Sequence, residues 1–366
     1  MTVDASTFQS ILVQFPIPDE DLQRIQNEFK TVYHYPKRNA VVPDEVYADI
    51  EVAFLNTMWG FPESLRSLEQ MPKLRLIQTN ATGVEVTIKH PALQAATPEQ
   101  LASLVLSNSC GGYCLGIPNF VLNYITGLYN SIPSMIYYQR VKKRWAEPSD
   151  IMDDARRVGA YGARPIYGKT FGFLGYGSLG REFARVCTIF PKSRIIAANS
   201  TGTRTVDDTF TFEGTGDLEA KLPEKMYSTS DPEAFKEFIS ECDVLVSSLP
   251  STAKTTHLLD AEKLSWMKPH GVFINVGRGT LIKSEEIIKA LDAPNGLLGA
   301  AIDVTDPEPL PTDHFLWDHP RLIITPHLSG EAENELSQST TILLANVKCL
   351  REGKPHLNDV SFAKGY

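Results

Sequence analysis

A glycine-rich turn carries the clearest chemical signal in the sequence. Gly175, Gly177 and Gly180 form a GxGxxG pattern between an apolar, strand-like run and a helix-like run. The first glycine permits a tight turn, the second lets backbone N–H groups approach a pyrophosphate, and the third allows close packing of helix on strand. The start of the helix then favours an anion. We expect these glycines, with Ser178 and Leu179, to bind a dinucleotide; the alternative is a purely structural turn.

The end of the next strand-like run bears on which dinucleotide fits. That run ends in Asn199, Ser200 and Thr201, Arg204 follows, and the next acidic residue is Asp207. A carboxylate at the strand end would bind a ribose 2′-hydroxyl and repel a 2′-phosphate. Small donors and an arginine suit a phosphate, because bidentate arginine contacts are charge-assisted. We expect NADP(H) to be favoured, with NAD(H) as the alternative cofactor and a plain solvated loop as the alternative structure.

Three further motifs each follow an apolar run. In chain order they are Asn275-Val-Gly-Arg278-Gly279, Asp303-Val-Thr-Asp-Pro-Glu308-Pro309 and Thr325-Pro-His327-Leu-Ser-Gly330. Parallel strands present their carboxyl ends at one edge of the sheet, which is where open α/β sheets bind ligands. The three motifs are therefore expected to lie side by side.

These motifs resemble those of the D-isomer-specific 2-hydroxyacid dehydrogenases, which include glyoxylate/hydroxypyruvate reductases and phosphoglycerate dehydrogenases. The resemblance is strong over residues 168–330 and continues more weakly before them. In that family the catalytic set is an arginine after a strand, a glutamate before a proline and a histidine after Thr-Pro. Here the matching residues are Arg278, Glu308 and His327. The implied activity is reduction of a 2-oxo acid (glyoxylate, hydroxypyruvate or a larger one) to the D-2-hydroxy acid.

The residue types suit that reaction. Adding hydride to the carbonyl carbon leaves an oxygen that must gain a proton, and His327 could supply it because histidine titrates near neutrality. Glu308 would orient the ring and stabilise the imidazolium. Arg278 would hold the substrate carboxylate and polarise the carbonyl. The non-catalytic alternatives are a surface ion pair for Arg278, a solvated turn for Glu308 and a structural role for His327.

The resemblance implies further ligand contacts. An early loop matches the family's loop whose backbone amides bind the substrate carboxylate, which indicates Ala81, Thr82 and Gly83. This loop departs from the commoner glycine-rich version, and Glu85 stands where aspartate is usual. The other implied cofactor contacts are Leu249, Pro250, Thr255, Val276, Gly277, Asp303, Ser329 and Gly330. In the family, the aspartate matching Asp303 is the partner of the nicotinamide amide.

Strand-like and helix-like segments alternate in two stretches of the chain. This alternation is typical of an α/β fold with parallel sheets. Residues 117–145 are predicted to form one long helical stretch, interrupted at Pro133, and residues 147–164 to form a surface connection. The polar stretch 201–230 lacks periodicity, so we expect a functional or partly disordered excursion there.

The resemblance implies two Rossmann-like domains, with the nucleotide domain inserted into a smaller, flavodoxin-like substrate domain. The predicted boundaries are residues 1–118 plus 331–366 for the substrate domain and 119–330 for the dinucleotide-binding domain. In this family the long helical stretch belongs to the dimer surface, so we expect a homodimer. Trp145 resembles a tryptophan that some of these reductases lend to the neighbouring active site; the alternative is an anchor at the helix end.

Composition and net charge limit the classes of protein to which this chain can belong. A chain of 366 residues with 42% hydrophobic and 22% charged residues is typical of about two globular domains. The net charge of −9 disfavours binding to nucleic acid or an anionic membrane. Five scattered cysteines predict reduced thiols rather than disulfides or a metal site, and no segment resembles a secretory signal or a membrane span. We expect a cytoplasmic protein without a metal.

Two other functions share these motifs. Formate-type dehydrogenases pair the histidine with a glutamine, so Glu308 argues against that activity. Dinucleotide-sensing scaffolds of the C-terminal-binding-protein kind can retain the triad, but they carry long disordered tails, and this chain ends soon after its last helical pattern. The 2-oxo acid stays open, because the size of the pocket depends on where Met58, Trp59 and Tyr113 lie.

Overall fold

The computed structural model describes residues 8–154, 164–207 and 209–362. These residues form two compact units. Unit 1 contains the chain up to Tyr113, a short stretch ending at Thr211, and the chain from Glu333 onward. Unit 2 contains Cys114–Asp207 and Phe212–Ala332.

The strands alternate with helices along the chain. In chain order the strands are β1 (Ser10–Gln14), β2 (Thr31–His34), β3 (Val52–Leu55), β4 (Leu76–Thr79), β5 (Val105–Ser107), β6 (Thr170–Leu174), β7 (Arg194–Asn199), β8 (Lys225–Ser228), β9 (Val244–Ser247), β10 (Val272–Asn275), β11 (Gly299–Ile302) and β12 (Leu322–Ile324). The α-helices are α1 (Asp19–Glu28), α2 (Asp44–Tyr47), α3 (Glu85–Ile88), α4 (Pro91–Gln94), α5 (Pro98–Ala102), α6 (Ile117–Tyr129), α7 (Ile132–Tyr137), α8 (Pro148–Asp154), α9 (Ser178–Cys187), α10 (Pro232–Glu241), α11 (Ala261–Ser265), α12 (Ser284–Asp292) and α13 (Glu335–Arg351). Short 3₁₀ helices lie at Leu68–Gln70, Gly112–Leu115, Gly279–Leu281 and Phe315–Asp318, and a π-helix lies at Tyr138–Lys142.

Unit 1 is built on a five-stranded parallel sheet with the order β2-β1-β3-β4-β5. This is the flavodoxin-like order. The strands β1, β3 and β4 are continuous buried runs because helices cover both faces of a parallel sheet. Two apolar clusters form the core, one on each side of these strands.

Unit 2 is built on a seven-stranded parallel sheet with the order β12-β11-β10-β9-β6-β7-β8. The strand order reverses at β6, which lies between β7 and β9. A ligand of an open α/β sheet binds at such a switch point, outside the carboxyl ends of the strands. The two parallel sheets confirm the predicted α/β fold class.

Three segments differ from the sequence-based expectation. The helical stretch 117–145 breaks at Ser131, whose φ is 53°, and Pro133 lies in the first turn of α7, where its missing N–H is not needed. Helix α8 lies within the predicted surface connection, and residues 155–163 of that connection are outside the described residues. The stretch 201–230 contains β8 near its end. The polar sequence there does not predict this edge strand.

Candidate active site

The three motifs after β10, β11 and β12 lie next to one another at the carboxyl edge of the unit 2 sheet. The Asp303 N–H donates to the Asn275 carbonyl at 3.0 Å, and the His327 N–H donates to the Asp303 carbonyl at 2.8 Å. These backbone bonds continue the ladder beyond the strand ends. They fix the relative positions of the segments that carry Arg278, Glu308 and His327.

His327 and Glu308 are in direct contact. The distance from His327 Nδ1 to Glu308 Oε1 is 2.5 Å, and the two side chains are 50% and 41% exposed. An ionised carboxylate only accepts hydrogen bonds, so Nδ1 carries the hydrogen in this contact. The other ring nitrogen, Nε2, is then the one that can exchange a proton with a ligand.

The loop that carries Glu308 is stabilised by hydrogen bonds between its own residues. The Thr305 hydroxyl donates to the Pro307 carbonyl at 2.9 Å, and the Thr305 N–H lies 3.4 Å from Glu308 Oε2. The carboxylate therefore meets His327 with one oxygen and its own loop with the other.

Arg278 lies between two glycines because the neighbouring loop passes close by. A Cβ at Gly279 would lie 1.9 Å from the Thr305 carbonyl oxygen, so only glycine fits there. The Asn275 side chain accepts from the Gly277 N–H and donates to the Arg278 carbonyl, which fixes the backbone of this turn. The guanidinium donates to the Gly277 carbonyl at 3.0 Å.

The carboxylate of Asp303 is buried and accepts several bonds from the protein itself. Its donors are the Thr325 hydroxyl at 2.6 Å, the Leu328 N–H at 3.1 Å, and the N–H and hydroxyl of Ser329. The sequence predicts cofactor contacts for both Asp303 and Ser329. In the structure the two side chains bind each other.

The glycine-rich turn lies at the switch point of the same sheet. A Cβ at Gly180 would lie 2.1 Å from the Gly175 carbonyl oxygen, so helix and strand approach as closely as the motif predicts. A Cβ at Gly177 would meet nothing within 4 Å. This space lies at the N-terminus of α9, which begins at Ser178, and a helix N-terminus favours an anion. The turn therefore fits a pyrophosphate.

The loop after β9 borders this turn. Leu249 Cδ2 would lie 3.1 Å from a Cβ at Gly175, and the Thr255 hydroxyl donates to the Pro250 carbonyl at 2.6 Å. The Val276 N–H donates to the Ser247 carbonyl at 3.0 Å. The residues predicted to line the cofactor thus share one edge of the sheet.

The side chain of Asn199 is engaged in its own turn. Its Oδ1 accepts from the N–H groups of Thr201 and Gly202 at 3.1 and 2.7 Å, and its Nδ2 donates to the Thr203 carbonyl at 2.8 Å. These bonds at both ends of its amide make Asn199 part of the loop after β7. Ser200 is exposed at the tip of this turn.

Arg204 is tied to the far end of the stretch 201–230. Its guanidinium donates to the carbonyls of Ala220, Pro223 and Glu224, the last at 3.3 Å. A guanidinium has five N–H donors, so this leaves donors for an anion.

A buried network that the sequence did not reveal ties the stretch 201–230 to helix α9. Arg181 donates to the carbonyls of Asp217 and Thr205 at 2.7 and 2.8 Å and lies 3.6 Å from the Asp207 carboxylate. The Tyr176 hydroxyl, from within the glycine-rich turn, donates to Asp217 Oδ2 at 2.7 Å. Burial, and then the bond to Asp217, raise the pKa of Tyr176. A charged residue on the buried side of α9 is the signal that could have indicated such partners.

The predicted substrate loop lies in unit 1, after β4. The Ala81 N–H donates to the Thr57 hydroxyl at 3.1 Å, and Asn108 Nδ2 donates to the Thr82 carbonyl at 3.0 Å. These bonds fix the loop and use the amide of Ala81. The amides of Thr82 and Gly83 are the ones that the loop can offer to a carboxylate.

The residues named for pocket size belong to unit 1, and Trp145, which the family resemblance links to the neighbouring active site, belongs to unit 2. In unit 1 Met58 is 70% exposed, Trp59 packs against the apolar core, and the Tyr113 hydroxyl donates to Glu335 at 2.8 Å. In unit 2 Trp145 is 87% exposed just beyond the π-helix.

Within the part of the chain that the structure covers, no helix combines the length and the hydropathy needed to cross a bilayer.

Comparison with known proteins decides the family. Residues 135–329, more than half of the chain, match the family model of the D-isomer specific 2-hydroxyacid dehydrogenase NAD binding domain. The chain belongs to this family. The resemblance seen in the sequence motifs is thereby confirmed.

Relatives within the 2-hydroxyacid dehydrogenases differ in how much of the chain they match. A glycerate dehydrogenase of Methylorubrum extorquens is 26% identical over 92% of this chain and 95% of its own length. A glyoxylate/hydroxypyruvate reductase A of Photorhabdus laumondii is 28% identical over 53% of this chain and 55% of its own length. The chain spans a little over half the length of two of the curated relatives that it matches.

A solved structure shows the same fold. The D-isomer specific 2-hydroxyacid dehydrogenase of Xanthobacter autotrophicus Py2, in complex with NADPH and MES, has a TM-score of 0.71 and 22% identity. The likeness covers 98% of this chain and 100% of that one. At this identity it bears on the fold alone.

Proposed function

We propose that this protein is an NAD(P)H-dependent reductase that converts a 2-oxo acid to the D-2-hydroxy acid, with His327 as the general acid/base. The observation that carries the proposal is the 2.5 Å contact between His327 Nδ1 and Glu308 Oε1 at the sheet edge that also bears the glycine-rich turn. Membership of the family and the glycerate dehydrogenase and glyoxylate/hydroxypyruvate reductase relatives support it.

The proposed chemistry assigns one task to each residue of the triad. When bound, the nicotinamide supplies the hydride that adds to the carbonyl carbon. His327 Nε2 donates the proton that the oxygen gains, and Glu308 stabilises the imidazolium before that transfer. Arg278 polarises the carbonyl with its positive charge. In the oxidative direction His327 takes the proton back.

The substrate carboxylate is proposed to bind backbone N–H groups. Because the Ala81 amide is used by the Thr57 hydroxyl, we assign the contact to the amides of Thr82 and Gly83. Backbone donors suit a carboxylate, since charge-assisted bonds are stronger than neutral ones.

NADP(H) is the proposed cofactor, with NAD(H) as the alternative. No acidic residue stands between Asn199 and Asp207, and Ser200, Thr201 and Arg204 provide donors after β7. Unit 2 would be the dinucleotide-binding domain and unit 1 the substrate domain. The Arg204 guanidinium, already bound to backbone carbonyls, would reach a 2′-phosphate with its remaining N–H groups.

We also propose a homodimer through the surface around α7 and the π-helix. The apolar side chains of Ile136, Val141 and Trp145 are exposed there, and exposed apolar patches often mark protein interfaces. Light scattering tests this proposal: a mass of two chains supports it, and a mass of one chain contradicts it.

A substrate screen tests the proposed function. Glyoxylate, hydroxypyruvate and larger 2-oxo acids are assayed with NADPH and with NADH, and the product's configuration is determined. Turnover of at least one 2-oxo acid to the D-product is expected. No turnover with any of them would contradict the proposal and favour a dinucleotide-sensing scaffold.

A further inference from the structure

A chain of hydrogen bonds leads from helix α6 to the turn that carries His327. The Tyr124 hydroxyl lies 2.6 Å from Thr325 Oγ1, which in turn lies 2.6 Å from Asp303 Oδ1. Tyr124 is 1% exposed and Asp303 2% exposed. All three residues belong to unit 2, and the proposed mechanism assigns a task to none of them.

The direction of the chain follows from its chemistry. An ionised carboxylate only accepts, so the Thr325 hydroxyl donates its hydrogen to Asp303. Thr325 must then accept from Tyr124, which has to keep its proton. Burial raises the pKa of Tyr124 to about 12 and outweighs the lowering effect of the bond to Thr325, so the phenol stays protonated at any working pH.

Asp303 in turn fixes the backbone on both sides of His327. Its carbonyl accepts from the His327 N–H, while its carboxylate accepts from the N–H groups of Leu328 and Ser329. His327 has a φ of 55°, a left-handed conformation that a residue with a side chain adopts only when its surroundings hold it there. The direction of the imidazole therefore depends on Asp303.

The acceptor capacity of this carboxylate is taken up within the protein. Four protein groups donate to its two oxygens: the Thr325 hydroxyl, the Leu328 N–H, and the N–H and hydroxyl of Ser329. A carboxylate has about four lone-pair sites. The hydrogen bonds of Asp303 therefore fix the backbone of the turn that carries His327.

We propose that Asp303 is a positioning residue for His327, and that Tyr124, acting through Thr325, holds its carboxylate in place. This inference rests on the proposed role of His327 in proton transfer. Tyr124 and Thr325 do not act on the substrate themselves; they affect the reaction through their hydrogen bonds to Asp303, which holds His327.

Substitutions in the outer two residues test the inference without altering Asp303. T325V removes the hydroxyl at nearly constant shape, T325S restores it, and Y124F removes the first donor. Y129F is the matched control, because Tyr129 is a buried tyrosine of the same helix whose hydroxyl lies 3.5 Å from the Asp243 carbonyl, outside this chain of bonds. For each variant kcat and both KM values are measured with NADPH and the best 2-oxo acid.

A positioning role predicts a loss in kcat with little change in KM. We expect kcat to fall about tenfold in T325V and about threefold to tenfold in Y124F, the range that corresponds to one net hydrogen bond. Both KM values should stay within about twofold, since the binding groups are not touched. T325S should return kcat close to wild type, and Y129F should leave it unchanged.

Two results would overturn the inference. One is a kcat in T325V and Y124F equal to that of Y129F; the other is a rise in the KM for NADPH at unchanged kcat, which would mean that these bonds serve cofactor binding and not the direction of His327. If T325V does not fold, Y124F and T325S decide by the same criteria. A failure of the proposed function is distinguishable, because then the wild type is inactive or H327Q keeps its kcat.

Discussion

At the scale of single residues, His327 combines a half-exposed ring with a backbone that hydrogen bonds to Asp303 hold in place. The ring is 50% exposed on its sheet edge, while its N–H is bonded to Asp303 and the next two amides are bonded to the Asp303 carboxylate. A group that exchanges protons with a ligand needs both properties, access and a fixed direction. Glu308 adds the second constraint, on the ring itself.

Arg204 is the residue at which the proposed preference for NADP(H) is tested. R204Q is expected to lower kcat/KM for NADPH about tenfold and to change kcat/KM for NADH much less, because a charge-assisted contact to the 2′-phosphate is lost. Steady-state kinetics with both cofactors measures this, and NADH is the internal control. An equal loss with both cofactors would mean that Arg204 serves only the carbonyls of Ala220, Pro223 and Glu224.

At the scale of elements, the unit 2 sheet places the glycine-rich turn and the three motifs at one edge. The turn follows β6 at the switch point, and the motifs follow β10, β11 and β12. At Gly180 and Gly279 glycine is required because another backbone passes within contact distance. Gly177 is different, since the space beside it is open.

This difference predicts opposite effects of two alanine substitutions in one turn. G180A would place a Cβ 2.1 Å from the Gly175 carbonyl oxygen, so the free energy of unfolding should fall by about 1–3 kcal/mol. G177A meets nothing within 4 Å, so the free energy of unfolding should change little while the KM for the cofactor rises severalfold. Denaturant unfolding and steady-state kinetics measure the two effects. A G177A variant with unchanged KM would argue against a pyrophosphate at this turn.

Local sequence information explains which elements could be predicted. Strands β6, β9 and β10 are continuous apolar runs because both faces are buried, and such runs are recognisable without a structure. Strand β8 was not predicted, because it is a short edge strand with little buried surface. The break at Ser131 was placed at Pro133, although a proline fits the first turn of a helix.

The same limit applies to the candidate site. The contact between His327 and Glu308 could be anticipated because both follow recognisable strands with characteristic neighbours. The bonds of Arg181 to Asp217 and of Tyr124 to Thr325 join residues far apart in the chain, and tertiary packing alone brings them together. The bonds that Asp303 accepts from Thr325 and Ser329 could not be anticipated for the same reason.

At the scale of the whole molecule, buried tyrosines link stability to alkaline pH. The pKa of Tyr124 is raised to about 12 and those of Tyr129 and Tyr176 are raised as well, in each case chiefly by burial. A raised pKa in the folded state gives stability that is present below the unfolded value near 10 and is lost as pH rises through the folded value. Stability should therefore decline from about pH 10 upward.

Comparison with Y124F isolates the share of Tyr124. Between pH 9 and pH 11 the wild type should lose about 1 kcal/mol more of its free energy of unfolding than Y124F does, since only the wild type has this phenol to ionise on unfolding. Denaturant unfolding at pH 9, 10 and 11 measures the loss. Parallel pH dependences of the two proteins would contradict the assignment.

Turnover by H327Q is the most direct test of whether His327 exchanges the proton of the reaction. The matched control is H356Q, because His356 also contacts a carboxylate, Asp359 at 2.8 Å, but lies in unit 1. For a 2-oxo acid that the wild type reduces, H327Q should lower kcat about 10²- to 10⁴-fold while cofactor binding, measured by fluorescence, is retained, and H356Q should leave kcat unchanged. An H327Q protein that keeps most of its kcat would show that His327 is not the general acid/base.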